Sequence, residues 1–172
     1  MARHQDHSPR RYRWSCDATV LRLGRELRAL GFPVDSPDGT GDGSRTILLT
    51  RGARRVADRK LAGMPAMVLL KRDKLPGQLT ALERLFRIGR AARPWSLCVR
   101  CGGALSSHAP ATYQGRLPDY VVTQSGRIAE CLRCGHLFWR ATHTRSQEQR
   151  WRSLLPGIQS PGGGEPPPEN PA

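Results

Sequence analysis

Acidic residues are scarce in this chain of 172 residues: Asp+Glu number 14 against 28 Lys+Arg, a formal net charge of +14. Nucleic acid is therefore the first partner to consider. Lysine is scarce beside arginine, which favours bidentate phosphate contacts over simple solvation. The charge is uneven: residues 1–95 hold 20 basic and 9 acidic side chains, residues 96–172 only 8 and 5. The plainer explanation is a soluble Arg-rich surface, because net charge speaks to association and not to fold. No apolar run approaches the roughly 18 residues of a membrane span. The basic stretch from Met1 to Arg13 lacks the apolar h-region of a secretory leader. A cytoplasmic location without membrane contact is the expectation. No internal repeat is visible beyond a pair of cysteine motifs. Residues 1–11 read as a disordered basic arm. Residues 155–172 are Pro/Gly-rich, have almost nothing to bury, and read as a disordered tail.

What is present is led by cysteine. Cys98 and Cys101 are separated by two residues, as are Cys131 and Cys134. This is the spacing of a four-thiolate zinc site built from two tight knuckles. Two intervening residues let one turn aim both sulfurs at a single ion. Gly102, Gly103 and Gly135 follow the second cysteine of each pair, where a knuckle needs a residue that tolerates positive φ. The alternatives are disulfides, rare in the cytosol and strained across so short a turn, or buried free thiols. Zinc held by four thiolates has no open position, so it would be structural. Residues 94–154 read as this small zinc-ribbon module, with much of its folding free energy supplied by the metal.

Residues 12–93 alternate short strands and helices. Tyr12 to Cys16 predicts a first strand. Ala18 to Leu30 follows as a helix, with Leu23, Leu27 and Leu30 on one face, Asp17 able to cap it and Gly31 ending it. Phe32 to Val34, Thr46 to Thr50 and Ala66 to Leu70 read as further strands, the last two apolar enough to be buried and parallel. Ala53 to Leu61 is compatible with a helix. Gln78 to Ile88 is an amphipathic helix with Leu79, Leu82, Leu85 and Phe86 inward. The sum is an α/β layer fold with a mostly parallel sheet. Such sheets place ligands beyond the carboxyl ends of their strands. Asp17, Asp35 and Asp73 fall there, with Asp38 and Asp42 in the nearby loop. A carboxylate cluster could hold Mg²⁺ or Mn²⁺ for phosphodiester hydrolysis. Equally, Asp17 can serve only as a cap and the loop aspartates only as turn formers.

Four stretches in this order resemble the Mut-seven C-terminal RNase family, a PIN-like nuclease domain followed by a zinc ribbon. They are Cys16-Asp17-Ala18-Thr19-Val20-Leu21 running into Leu23 to Phe32, which includes Leu27-Arg28-Ala29-Leu30-Gly31; Arg45 to Arg51; Cys98 with Arg100 to Leu105; and Cys131 to His143, with its Phe138-Trp139 pair. The resemblance covers roughly residues 12–154. It implies a PIN-like fold, RNA as substrate and metal-dependent hydrolysis. Asp17 matches the family's first catalytic acid, and Cys98, Cys101, Cys131 and Cys134 match its zinc ligands. Where the family's third strand ends Leu-Leu-Thr-Arg-Asp, this chain has Gly52. The segment between the second and third strands is short, and another family acid has no clear counterpart there. Asp35, Asp42 or Asp73 could compensate from strand ends.

Arg51, Arg54, Arg55, Arg59 and Lys60 form a basic run beside the expected cleft, either phosphate contacts or a solvated helix face. Trp95, Tyr113, Trp139 and Trp151, with Arg100, Arg133 and Arg140, could stack on and clamp single-stranded RNA. Alternatively, Phe138 and Trp139 form the ribbon's small core. His143 lies near the second knuckle and is not needed as a zinc ligand. Cys16 reads as a buried apolar residue. Three functions follow: a metal-dependent ribonuclease, a non-catalytic zinc-ribbon RNA-binding protein, or a zinc-stapled protein–protein adaptor.

Overall fold

The computed structural model describes residues 9–35, 46–54, 56, 66–139 and 142–159. Strand β1 (Arg13–Cys16) is buried after its first residue. Asp17 then turns the chain. Its carboxyl accepts the Thr19 amide at 2.9 Å and caps a 3-10 turn, Ala18–Val20, satisfying a donor that the turn leaves open. Helix α1 (Leu21–Ala29) follows, with Leu23 and Leu27 on its buried face. The helix stops at Gly31, φ +82. The amides of Gly31 and Phe32 bond back to the carbonyls of Arg28 and Leu27, each at 2.9 Å, which closes the last turn on a left-handed residue. A Cβ on Gly31 would stand 2.3 Å from the Arg93 carbonyl oxygen. Both backbone and space therefore require glycine there.

β2 (Val34–Asp35), β3 (Thr46–Thr50) and β4 (Met67–Leu69) complete a four-stranded sheet in the order β2-β1-β3-β4. Every neighbouring pair is parallel. Helix α2 (Leu75–Phe86) begins near the carboxyl edge of this sheet and, with α3 (Ile88–Ala91) after it, ends near the start of β1. Trp14, fully buried, meets the ring edges of Phe32 and Phe86 at 6.3 and 5.0 Å. Leu79, Leu82 and Ile88 close the same core.

A second, antiparallel sheet of β5 (Leu105–His108), β6 (Ile128–Cys131) and β7 (Leu137–Trp139) follows, in the order β5-β6-β7. Helix α4 (Asp119–Gln124) lies between β5 and β6 and packs Val121 with Tyr113 and Ile128. Helix α5 (Thr142–Leu154) then returns to the first core, where Trp151 and Leu155 are buried. The indole of Trp151 donates to Glu26 of α1 at 2.7 Å, and Gln147 donates to the same carboxyl at 3.0 Å. Trp95 lies 5.1 Å from the Trp151 ring and donates to Glu148. The antiparallel sheet is thus an insertion whose two ends are tied to one core. Among the described residues, no helix is long and apolar enough to cross a membrane.

The mixed α/β fold with its parallel sheet agrees with the sequence expectation, but several details differ. β4, expected to be buried, is a half-buried edge strand. Leu85 points away from the core and is 61% exposed; α2 starts three residues earlier than its periodicity suggested, and Leu75 takes the buried role. Tyr113 and Trp151 are each 1% exposed, so neither ring is available to stack on RNA. The fold reaches further into both ends than composition suggested: Pro9 is buried in a 3-10 turn, and Ile158 packs on the core. The remaining residues of the expected arm and tail, and most of Ala53 to Leu61, lie outside the described residues.

Removing the ring that joins α5 to α1 should be costly. Trp151→Ala should destabilise the protein by about 3–5 kcal/mol. Trp151→Phe should cost about 1–3 kcal/mol, by leaving Glu26 short of a donor. Urea unfolding followed by circular dichroism measures both.

Candidate metal centre and candidate active site

The cysteine site is built by two equivalent turns. The amide of Gly102 bonds to the Cys98 carbonyl at 2.8 Å, and that of Gly135 to the Cys131 carbonyl at 2.9 Å. Gly102 and Gly135 have φ of +73 and +67, as the knuckle geometry requires. β6 delivers Cys131, and the turn between β6 and β7 delivers Cys134. The four Sγ atoms all lie within 4.8 Å of one another. Cys98 and Cys134 are 3.8 Å apart, and Cys101 and Cys131 are 3.4 Å apart. Four sulfurs about 2.3 Å from a tetrahedral zinc would stand about 3.8 Å from each other. The donor set and the spacing therefore fit a metal ion such as zinc. Gly103 completes the cradle: its amide donates to Cys101 Sγ at 3.4 Å, and a Cβ there would meet Arg133 Cβ at 2.7 Å and Cys131 Sγ at 3.0 Å. Arg133 donates to the Cys101 carbonyl and Arg100 pairs with His136, so both guanidiniums wrap the knuckles. Burial pushes the Cys98 thiol up to about 12. At Cys101 burial acts the same way but is outweighed by the Gly103 amide and the facing thiols, which bring it down to about 7. A divalent cation among them would favour the thiolate at all four.

Asp17 lies at the carboxyl end of β1 and is 2% exposed. Besides the Thr19 amide, its carboxyl accepts the hydroxyls of Thr19 and Thr50, both at 2.5 Å. Those hydroxyls in turn accept the amides of Arg51 and Gly52, at 3.0 and 2.9 Å. Asp17 therefore braces the end of β3 as well as its own turn. Gly52, in the place of the family's acid, offers only this amide. Asp35 pairs with Arg13 at 2.9 Å, and Asp73, 75% exposed, pairs with Arg51. Among the described residues the cysteines are the one group of three or more candidate ligands close enough to share an ion. The three acids are not gathered into such a group: Asp35 and Asp73 are each held by an arginine, apart from Asp17. Asp38 and Asp42 lie outside the described residues.

Of the expected RNA contacts, Arg51 is engaged by Asp73 and Arg54 is exposed. Arg55, Arg140 and the His143 side chain lie outside the described residues. Cys16 is free and buried, and burial raises its thiol to about 12, as an inert core residue. Three cations escaped the sequence reading. Arg22 and Lys74, with Arg150 of α5, line a cavity of about 430 Å³ beside Thr19 and Asp73. Lys74 adjoins Asp73 and Arg22 follows the Asp17 turn, so both had a local signal. Arg150 had none, because only the return of α5 brings it there.

The fold and the thiol site define a mixed α/β protein carrying a metal-binding module. The family model of the Mut7-C RNAse domain matches residues 12–151, from the approach to β1 through to the buried Trp151. The chain belongs to that family, which points to a nuclease-type function. No curated protein and no solved structure matches the chain.

Cys131→Ser should abolish metal retention and loosen the antiparallel sheet while leaving the parallel sheet folded. Gly103→Ala should weaken retention without removing a ligand. Elemental analysis reports the metal, and hydrogen exchange at Ile128 to Cys131 reports the sheet.

Proposed function

We propose that the chain is a metal-dependent ribonuclease of PIN-like type acting on RNA, with Asp17 as its central acid and Mg²⁺ or Mn²⁺ as the cofactor class it requires. The observation that carries this is the family match over residues 12–151 together with the buried aspartate at the carboxyl end of β1, the edge where parallel sheets bind ligands. Arg22, Lys74 and Arg150 supply positive charge in a cavity also lined by Thr19, a partner of Asp17, suited to holding a phosphodiester. Asp35 and Asp73 stay subsidiary acids in this proposal, and Arg51 and Arg54 stay RNA contacts. On this reading residues 12–93 form the PIN-like unit. Residues 94–154 carry a structural zinc ribbon whose last helix docks on the PIN-like core. Four cysteines kept as thiols for zinc call for a reducing compartment, which supports a cytoplasmic location.

A second reading, RNA binding without cleavage, is favoured by Gly52 and by the hydroxyls that already occupy the Asp17 carboxyl. A mixed single-stranded RNA incubated with Mn²⁺ or Mg²⁺ separates the two. The first reading expects cleavage that needs the added ion and falls at least about 100-fold in Asp17→Asn, with circular dichroism and zinc content unchanged. Intact RNA in both samples, with salt-sensitive binding retained, would replace it by the second.

A further inference from the structure

A concentration of positive charge lies away from Asp17, at the opposite end of the parallel strands. A cavity of about 760 Å³ opens where the N-terminal turn meets the end of α2 and α3. Five of its lining residues are arginines: Arg10, Arg84, Arg87, Arg90 and Arg93. No acid lines it among the described residues.

We propose that this arginine cavity is a second RNA site, which grips the phosphodiester backbone away from the Asp17 edge. It rests on RNA being the ligand of this chain, and not on cleavage.

Arg10 anchors the cavity floor. Its Nε donates to the Ala91 carbonyl at 2.7 Å, and its guanidinium lies 5.6 Å from the centre of the Phe32 ring. Its Nη2 is buried and has no hydrogen-bond partner among the described residues. Burial, and then the Arg93 charge, lower the pKa of Arg10. Like charges gathered in this way call for an anion. The other four guanidiniums recur every third residue from 84 to 93 and are exposed. Five positive charges exceed what one phosphate group, at about −2, would neutralise. A strand of phosphates matches them better, and arginine suits each phosphate through its two-pronged donors. The exposed Leu85 beside them offers apolar surface to an unstacked base. α2 connects the two edges, and its 12 residues span roughly 18 Å. One single strand could therefore reach both sites.

The test is equilibrium binding of a fluorescently labelled single-stranded RNA by anisotropy, without added Mg²⁺ or Mn²⁺, from about 50 to 200 mM salt. The variant combines Arg84→Gln, Arg87→Gln and Arg90→Gln. The expected result is a salt slope shallower by about 2 and an affinity lower by about 10-fold, with zinc content and thermal midpoint unchanged. If the triple variant fails to fold, Arg84→Gln and Arg90→Gln alone should each reduce the slope by about 0.7. An unchanged slope in folded variants would overturn the proposal and leave the ribonuclease reading standing. Binding lost in the variants while the wild type never cuts RNA would uphold it and remove that reading instead. Inorganic pyrophosphate, titrated by calorimetry, separates the sources of phosphate. Arginine-dependent pyrophosphate binding with RNA affinity unaltered would make this a small-anion site and overturn the RNA assignment.

Discussion

A buried carboxyl holds together the edge of the parallel sheet where its strands end. Placing Asp17 at 2% exposure would cost several kcal/mol if its oxygens went unpaired. One backbone amide and two threonine hydroxyls prevent that. The same hydroxyls take the amides of Arg51 and Gly52, so one side chain determines how the chain leaves both β1 and β3. Whatever chemistry the edge performs is set on that brace. A carboxyl so fully engaged also has little freedom to bind an ion unless a hydroxyl gives way. The role proposed for Asp17 and its local bonding therefore compete for the same two oxygens.

A second buried carboxyl, Glu26, decides how the two sheets belong together. Its oxygens receive the Trp151 indole and the Gln147 amide from a helix that follows the antiparallel sheet. Arg28, two residues on, reaches the carbonyls of Val34 and Arg100, at 2.8 and 2.9 Å. α1 therefore grips α5 through one face and β2 with the first cysteine knuckle through another. The metal module is held at both ends, which lets a small sheet with little core of its own keep a defined place. Metal and packing would divide the work: an ion held by the four thiols would order the knuckles, and α5 orders what surrounds them.

The cysteine site was largely legible in the sequence. Its ligands lie two apart within each turn, and turn geometry is local, so spacing and the following glycines carried almost the whole site. The parallel sheet was legible for the same reason, through short apolar runs separated by a helix-period segment. The acids were not. Asp17, Asp35 and Asp73 each end a strand or open a loop, but which carboxyl meets which partner depends on side-chain orientation. Arg13 and Arg51 took two of them. Leu85 was misjudged because it lies at the margin of the stripe formed by Leu75, Leu79, Leu82 and Phe86, where periodicity does not settle which way a side chain faces.

Composition, spacing and turn residues by themselves determined an Arg-rich α/β chain with a four-thiol metal site and a capping aspartate after its first strand. These are features of neighbours within a turn or two. Only the tertiary structure decided that Trp151 is a core residue, that Arg150 joins Arg22 and Lys74, and that Arg10 meets Arg84 to Arg93 in one cavity. The Trp151–Glu26 bond joins positions 125 residues apart. Such meetings depend on how whole elements pack, and no local periodicity encodes them.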